Sequence, residues 1–321
     1  MSALTLNPFT LSSSAQGQTL HGTHYQPPVP PHCTVVIVHG MCEHRARYDG
    51  FARWLCAQGC AVVTYDQLGH GETASSPLRL GFFAPHQGWR RLQEDLEAVV
   101  AMARRLHPAL PCVVLAHSMG SILTRCWLPH TRQPLAGCIL MGTTGSMPLW
   151  HTGIGLCDGV IRRRGPLHRS KALEKMAFFA YNSRCHPRRT SHDWLSRENW
   201  EVDRYLADPL CTFTFTASAF RDLFTLVGHS MKPEAFSLPS PQLPLLLLAG
   251  VADPVGQYGR GPRWAAHQYR QAGMQQVSLQ LYPGARHELL HESNRAEVCA
   301  DIWQFLQEVC HGDPAHTHRR T

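Results

Sequence analysis

Apolar runs and amphipathic patterns alternate along two parts of the chain. Continuous apolar runs with many β-branched residues are typical of strands buried on both faces. We predict such strands at 33–39, 60–66, 111–117, 135–141, 243–250 and 277–283. Apolar residues at helical spacing predict helices between them, most clearly at 89–106, 262–273 and 293–310. This alternation predicts an α/β fold with a mostly parallel central sheet flanked by helices.

The alternation breaks in the middle of the chain. From about residue 146 to 238 the sequence is polar, aromatic and helix-leaning, and it has no buried-strand run. We therefore predict a core in two parts, 1–145 and 239–310, interrupted by a helical cap at 146–238. The polar end, 311–321, lacks periodicity and is expected to be a disordered tail.

Composition narrows the class of protein. The chain has 321 residues, 44% of them hydrophobic, and 30 Lys+Arg against 23 Asp+Glu give a net charge of +7. No apolar run approaches the roughly 20 residues of a membrane-spanning helix. The first twenty residues have neither a basic stretch nor an apolar core, so we expect no secretory signal and a cytoplasmic protein.

The basic excess has two interpretations. No nucleic-acid-binding motif accompanies it, so no nucleic-acid partner is expected. A solvated basic face accounts for it, with attraction to an anionic membrane surface, in transient contact, or to a phosphate-bearing substrate as the alternative. The sequence leaves the oligomeric state open.

Twelve cysteines are present, an even number that would suit six disulfides. Most of them lie inside apolar strand patterns, such as those at 60–66 and 111–117, where a free thiol behaves as a small core residue. No Cys-x-x-Cys pair occurs in the chain. We therefore expect reduced cysteines and no metal, in particular no zinc site built on thiolates.

One strand-to-helix junction carries candidate chemistry. The strand at 111–117 leads directly into Ser118, and Gly120 lets the chain turn at once into a helix. Such a turn lifts the Ser118 hydroxyl above the sheet edge and aims the backbone N–H of Met119 at an oxyanion. The usual pattern is Gly-x-Ser-x-Gly, and Ala116 replaces its first glycine. The alternative interpretation of Ser118 is a serine helix cap.

A candidate base and an orienting acid follow at two later strand ends. Asp253 comes just after the strand at 243–250, and His287 follows the strand at 277–283. The chain order Ser118, Asp253, His287 is that of an α/β-hydrolase triad. The carboxyl ends of parallel strands meet at one edge of the sheet. We therefore predict a Ser–His–Asp triad that transfers an acyl group through an acyl-enzyme and needs no cofactor.

Other residues compete for the acid and base roles. Asp222 and Asp301 fall in helical periodicity, and Asp253 itself could be a turn residue before a proline. His291 lies four residues after His287 and is expected to be a pocket residue or a bystander.

The second oxyanion donor is expected in the loop after the first predicted strand. Gly40 lets the backbone approach the nucleophile there, so the N–H of Met41 is the candidate donor. Glu43 and Arg47 are four residues apart, and one interpretation is that they simply pair with each other on a helix face. His39 is expected to have a structural role.

Five segments resemble one branch of the α/β-hydrolase superfamily: HGMCEHRARY, DQLGHGET, AHSMGS, GVADPVG and GARHE. They are similar to the monoacylglycerol lipase and lysophospholipase-like branch, which is also classed with serine aminopeptidases. The similarity spans about residues 8–310. It implies an α/β-hydrolase fold with a helical cap and a serine hydrolase of lipid-like carboxyl esters. It also implies the triad and the oxyanion hole already inferred from the residues, which are Ser118, His287 and Asp253 for the triad and the N–H groups of Met41 and Met119 for the hole.

The resemblance further implies a head-group site at Glu43 and Arg47, which would meet a polar group such as glycerol. Monoacylglycerol lipases carry a second histidine three residues after the catalytic one, whereas His291 is four residues after His287. This departure leaves the head group of the substrate open. Cap aromatics are expected to form lid core, with some facing the acyl chain: Phe178, Phe179, Phe213, Phe215 and Phe220.

Three alternatives to a lipase remain. A small-ester esterase would use the same triad. An aminopeptidase of the proline iminopeptidase type would need an acidic anchor for the α-amine, for which Glu198, Glu201 and Asp203 are candidates. A non-catalytic binding protein is the third. A dehalogenase or an epoxide hydrolase would carry aspartate at position 118, so the serine excludes both.

Overall fold

A mixed eight-stranded sheet forms the centre of the protein, which a computed structural model describes over residues 3–311. The strands are β1 (Thr5–Ser12), β2 (Thr19–Gln26), β3 (Cys33–Val38), β4 (Cys60–Tyr65), β5 (Cys112–His117), β6 (Gly137–Met141), β7 (Leu245–Gly250) and β8 (Val277–Tyr282). Their order across the sheet is β1-β2-β4-β3-β5-β6-β7-β8. Strands β3 to β8 pair in parallel, whereas β1 and β2 run antiparallel to their neighbours.

Helices cover both faces of the sheet. They are α1 (Asp49–Ala57), α2 (Gly88–Leu106), α3 (Met119–Trp127), α4 (Trp150–Arg164), α5 (Lys171–Ala177), α6 (Asn199–Ala207), α7 (Ala217–His229), α8 (Arg260–Gln271) and α9 (Arg295–His311). Successive strand residues point to opposite faces. Val36 therefore packs in the core that includes α2, α3 and α8. Val35 and Ile37 pack in the core that includes α1 and α9.

The predicted α/β architecture is confirmed. All six predicted buried strands are present, each end within two residues of its expected position. The hairpin β1–β2 was not predicted, because both strands lack a continuous apolar run. Strand β1 lies at the edge of the sheet and contains Pro8. A proline is tolerated there because an edge strand pairs with a neighbour on one side only. Strand β2 buries Leu20, Gly22 and His24 at alternate positions, and only Leu20 among them has an apolar side chain, which hides the period.

The predicted cap segment contains helices α4 to α7, and no strand occurs between 146 and 238. Helix α4 packs against α7, and Phe215 and Phe220 are fully buried in the core shared with α2 and α3. The division into core and cap stays a prediction. The predicted tail begins at the last residue of α9, and residues 312–321 lie outside the described part of the chain. Within residues 3–311, no helix has the length and apolar character needed to cross a bilayer.

Candidate active site

Ser118 lies between β5 and α3 in a strained backbone conformation. Its φ of 52° and ψ of −119° fall where residues with a side chain are rare. Its backbone N–H donates to the Met141 carbonyl at 2.9 Å, which ties the turn to β6. A Cβ added at Gly120 would lie 2.5 Å from the carbonyl oxygens of Val38 and His39. Only glycine therefore lets α3 begin this close to β3.

Three side chains form a chain of hydrogen bonds at the carboxyl ends of β5, β7 and β8. His287 Nε2 lies 2.8 Å from Ser118 Oγ, and His287 Nδ1 lies 3.0 Å from Asp253 Oδ2. The other oxygen of Asp253 accepts a hydrogen bond from the Val255 N–H at 2.8 Å, which orients the carboxylate. Both His287 and Asp253 are buried. This geometry allows His287 to take the Ser118 proton while Asp253 holds the imidazole.

The competing acids lie elsewhere. Asp222 is in α7 and Asp301 is in α9, as their helical periodicity predicted. Asp301 accepts a hydrogen bond from the Tyr282 hydroxyl at 2.8 Å. Burial raises the pKa of Asp222 to about 7, next to the N–H groups that begin α2. Among the described residues, Asp253 is the carboxylate that contacts His287 Nδ1.

The two predicted oxyanion donors flank Ser118. Met41 follows Gly40, where an added Cβ would lie 2.9 Å from Ser118 Cβ. Met119 is the first residue of α3, so its N–H has no acceptor within the helix. Met41 and Met119 both border the cavity above Ser118. Their role as oxyanion donors stays a prediction.

A buried carboxylate holds the loop that carries Met41. Glu43 Oε1 accepts hydrogen bonds from the Gly40 N–H and, at 2.9 Å, from the Tyr48 hydroxyl. The same oxygen lies 2.9 Å from His117 Nδ1. Burial disfavours charge on both partners, but their attraction outweighs it, so the pKa of Glu43 lies well below its usual value and that of His117 is raised. The sequence analysis did not single out His117, although it directly precedes Ser118.

The predicted head-group residues lie at different depths. Arg47 Nη2 contacts Glu288 Oε2 at 2.6 Å, closer than the 3.6 Å between Arg47 Nε and Glu43 Oε2. His291 Nδ1 lies 3.5 Å from the same Glu288 oxygen, and burial lowers the pKa of His291 to about 4. Glu43 and Glu288 line the cavity, whereas Arg47 and His291 lie behind them. Sequence reasoning missed Glu288, whose position next to His287 was the available signal.

Two buried histidines join this loop to the turn after β4. His39 Nε2 accepts a hydrogen bond from the Gln67 N–H at 3.0 Å, which fits its expected structural role. His70 Nε2 accepts one from the Cys42 N–H at 3.2 Å. Burial lowers the pKa of His39 to about 4 and that of His70 to about 3, so both rings stay neutral acceptors at pH 7. His70 belongs to the GHG segment and had no predicted role.

A mostly apolar cavity of about 140 Å³ lies above Ser118. Residues 144–227 supply much of its wall, and Trp194 from this segment places its ring 5.2 Å from that of His287. Of the predicted lid aromatics, Phe178 and Phe213 line the cavity, while Phe179 is 80% exposed. The lining includes three carboxylates, Glu43, Glu174 and Glu288, together with His117, which forms an ion pair with Glu43.

The proposed amine anchors do not border this cavity. Glu198 precedes α6, and Glu201 is buried within that helix. Asp203 is on the surface, where Arg189 donates to it at 2.8 Å. A cationic substrate group in the cavity would meet Glu174 or Glu288 before any of these three.

Comparison with known proteins identifies the family. The family model described as serine aminopeptidase, S33, matches residues 29–294. The chain belongs to this family. Its fold is that of the α/β-hydrolases, as the sheet order and the solved structures of this fold show.

Proteins of known name are similar to this chain over most of its length. A monoacylglycerol lipase of Mycolicibacterium smegmatis is 27% identical over 88% of this chain and 90% of its own. The monoglyceride lipase of Homo sapiens is 26% identical over 87% of this chain and 83% of its own. The crystal structure of a thermostable carboxyl esterase from Bacillus coagulans in complex with glycerol superposes with a TM-score of 0.89. It is 25% identical and covers 96% of this chain and 100% of that one.

Proposed function

We propose that this α/β-hydrolase cleaves lipid-like carboxylic esters, with monoacylglycerols as its substrate class. The observation that carries the proposal is the hydrogen-bonded chain from Ser118 through His287 to Asp253 beneath a mostly apolar cavity. Relatives named monoacylglycerol and monoglyceride lipase, which match nearly the whole chain, support it. The helices between 146 and 238 form the lid over this cavity.

The reaction proceeds by two acyl transfers. His287 Nε2 takes the proton of Ser118 Oγ, which attacks the ester carbonyl carbon, while Asp253 stabilises the imidazolium. The N–H groups of Met41 and Met119 stabilise the oxyanion. His287 then gives the proton to the leaving alcohol oxygen as the ester C–O bond breaks. Water, activated by the same imidazole, hydrolyses the acyl-enzyme and releases the fatty acid.

The charges of the cavity favour a neutral head group. Its described lining includes Glu43, Glu174 and Glu288 but neither lysine nor arginine. Glu43 is paired with His117 and Glu288 with Arg47, whereas no described ion pair includes Glu174, so a phosphate would meet like charge at Glu174. Arg47 is held behind this wall by Glu288. We therefore favour monoacylglycerol over lysophospholipid. In this proposal Glu43 contacts the glycerol head group directly. Arg47 and His291 can contact the head group only if Glu288 moves.

Hydrolysis of 1-monooleoylglycerol by the full chain tests the proposal. We expect turnover by the wild type, slower turnover of the lysophospholipid with the same acyl chain, and loss of about 10³-fold or more in Ser118→Ala. Ser278→Ala, a change of an exposed serine in β8, should retain full activity. Turnover of aminoacyl arylamides without turnover of any ester would instead establish an aminopeptidase.

Transient contact with a membrane surface is part of the same proposal. Large apolar side chains are exposed on the segment that forms the lid, among them Leu149 and Phe179. The basic run at 162–164 lies in the same segment. Apolar anchors together with basic residues favour binding to anionic lipid surfaces. A cytoplasmic location, expected from the first twenty residues and in agreement with the cysteine usage, also remains a proposal.

A further inference from the structure

A fully buried arginine lies in the helix that begins directly after Ser118. Arg125 follows Ser118 by seven residues, about two turns of α3, and its side chain has no exposed surface. Within residues 3–311, no carboxylate forms an ion pair with its guanidinium group. A buried charge without a carboxylate is costly, and an apolar side chain would fill the same space at a lower cost. What the guanidinium binds therefore explains the arginine at this position.

The guanidinium group contacts the chain at both ends of the lid. Its Nη1 donates to the Thr144 carbonyl oxygen at 2.8 Å and lies 3.3 Å from Thr143 Oγ1. Its Nη2 donates to the Ser230 carbonyl oxygen at 2.6 Å. Thr143 and Thr144 come just before the lid helices α4 to α7, and Ser230 directly follows α7. One side chain of α3 thus holds the backbone where the lid begins and where its last helix ends.

Two aromatic rings enclose the same group. The ring centroid of Phe236 lies 5.3 Å from Arg125 Cζ, and that of Trp264 lies 5.8 Å from it. Phe236 comes from the end of the lid segment and Trp264 from α8. Rings at these distances stabilise a cation. The planar guanidinium donates in two directions between them, which the compact ammonium of lysine cannot do.

The backbone that Arg125 holds belongs to the wall of the cavity above Ser118. Ile122 lines the cavity from α3, one turn before Arg125 and on the same face of the helix. Thr144 and Met147 line it from the segment after β6, and Val227 lines it from the last turn of α7. Because the side chains of Ile122, Met147 and Val227 are apolar, this part of the wall suits an acyl chain.

We propose that Arg125 is a positioning residue that sets the width of the cavity for the acyl chain of the substrate. Its hydrogen bonds hold the start of the lid and the end of α7 against α3, so the wall residues of these three segments keep fixed positions relative to Ser118. Without the guanidinium, two buried carbonyl groups lose their donor and the lid ends move away from α3. This role rests on the proposed function, because it assigns an ester acyl group to the cavity. Arg125 acts through the wall, since the described lining does not include Arg125 itself.

Hydrolysis of p-nitrophenyl esters from butyrate to palmitate by the wild type and Arg125→Met tests this role. We expect KM for the palmitate ester to rise about tenfold, which is the cost of a misfit of about one methylene group in an apolar pocket. KM for the butyrate ester, and kcat for both esters, should change less than about twofold, because the triad is untouched. Arg125→Lys keeps the charge but not the two-directional donors, so it should recover only part of the loss.

Hydrogen exchange measured by mass spectrometry follows the lid ends without any turnover. Peptides over 143–147 and 226–231 should exchange at least about fivefold faster in Arg125→Met, whereas peptides of β3 and β5 should exchange as in the wild type. Trp127→Phe is the matched control, because it removes a hydrogen bond of 2.8 Å from the same helix to Glu97 in α2. This variant should lower the free energy of unfolding without changing the exchange of the lid ends or the preference for chain length.

Unchanged exchange at both lid ends in Arg125→Met would overturn the proposal. Faster exchange with the same change of KM at every chain length would also overturn it, because Arg125 would then only stabilise the fold. A chain-length effect of equal size in Trp127→Phe would have the same meaning. If Arg125→Met does not fold, Arg125→Lys carries these comparisons. A wild type that cleaves p-nitrophenyl esters but not 1-monooleoylglycerol overturns the proposed function alone, and one that cleaves no ester overturns both.

Discussion

Glu43 and His117 form a buried ion pair directly behind Ser118, with 2.9 Å between Glu43 Oε1 and His117 Nδ1. The carboxylate also binds the Gly40 N–H, and His117 Nε2 lies 3.4 Å from the His287 carbonyl oxygen. The pair therefore connects the loop of the proposed oxyanion hole, the strained turn at Ser118 and the loop of the proposed base. We regard Glu43 and His117 as positioning residues as well as parts of the cavity wall.

We expect Glu43→Gln to impair both stability and catalysis. The amide cannot balance the charge of His117, and removal of one partner from a buried ion pair costs about 3–5 kcal/mol. The unfolding free energy should fall by that order, and kcat for an ester substrate should fall more than KM rises. Denaturant unfolding and steady-state kinetics measure the two effects. Glu94→Gln, in an exposed pair with Arg91, should change neither. A fully active, fully stable Glu43→Gln would show that this ion pair does not position the site.

His70 predicts a loss of stability in acid. Its pKa is about 3 in the folded protein because of burial, against an ordinary value of 6.5, so the unfolded chain binds the proton first. The contribution of the neutral His70 ring to the free energy of unfolding is therefore present above pH 6.5 and is lost as the pH falls toward 3. His70→Gln keeps a donor and an acceptor but does not titrate. Between about pH 7.5 and about pH 5, the wild type should lose about 2 kcal/mol more than this variant.

The prediction for His70 is checked by measuring the free energy of unfolding of the wild type and of His70→Gln over a series of pH values. His86→Gln, at an exposed position, should lose stability in parallel with the wild type. Parallel curves for wild type and His70→Gln would mean that the ring at position 70 is solvated or already charged in the folded protein.

Gly120→Ala should disturb the turn at Ser118. The new methyl group would lie 2.5 Å from two carbonyl oxygens, so α3 must move away from β3. A displacement of about 1 Å at a reacting group can cost about 100-fold in rate, and we expect a loss of that order in kcat/KM. Gly155→Ala is the matched control, because its Cβ meets no atom within 4 Å on the exposed side of α4. It should gain about 0.5–1 kcal/mol of stability. Normal activity of Gly120→Ala would mean that the turn is more compliant than its contacts indicate.

Replacing exposed apolar residues of the lid segment should weaken membrane binding. Leu149 and Phe179 are 77% and 80% exposed. We expect Leu149→Ser with Phe179→Ser to reduce binding to anionic phosphatidylglycerol vesicles several-fold in a flotation assay, since each lost anchor removes apolar area from the bilayer. Hydrolysis of a water-soluble short-chain ester should be unchanged. Leu106→Ser, at the exposed end of α2, should bind as the wild type does. Equal vesicle binding by all variants would show that these residues of the lid segment do not contact the membrane.

The sequence revealed the parallel part of the sheet because a strand buried on both faces must be apolar at every position, as Val35 to Val38 are. The same reasoning could not find β1 or β2, whose pairing at the edge leaves polar and exposed positions. Position at a strand end also indicated Ser118, Asp253 and His287 as neighbours. That inference needs only the rule that parallel strands end at one edge.

What the sequence alone determined was the order of elements, the strand ends and the residue types placed there, because these depend on local periodicity. Tertiary structure decided which polar groups meet. Arg47 binds Glu288 instead of forming a simple pair with Glu43. The two residues are 241 positions apart, so no local pattern in the sequence indicates their contact. The pairing of β3 with β4 likewise brings Cys33 beside Cys60, although the two are far apart in the sequence. Burial then sets the charge of each group, since desolvation depends on the packed surroundings rather than on the neighbouring sequence.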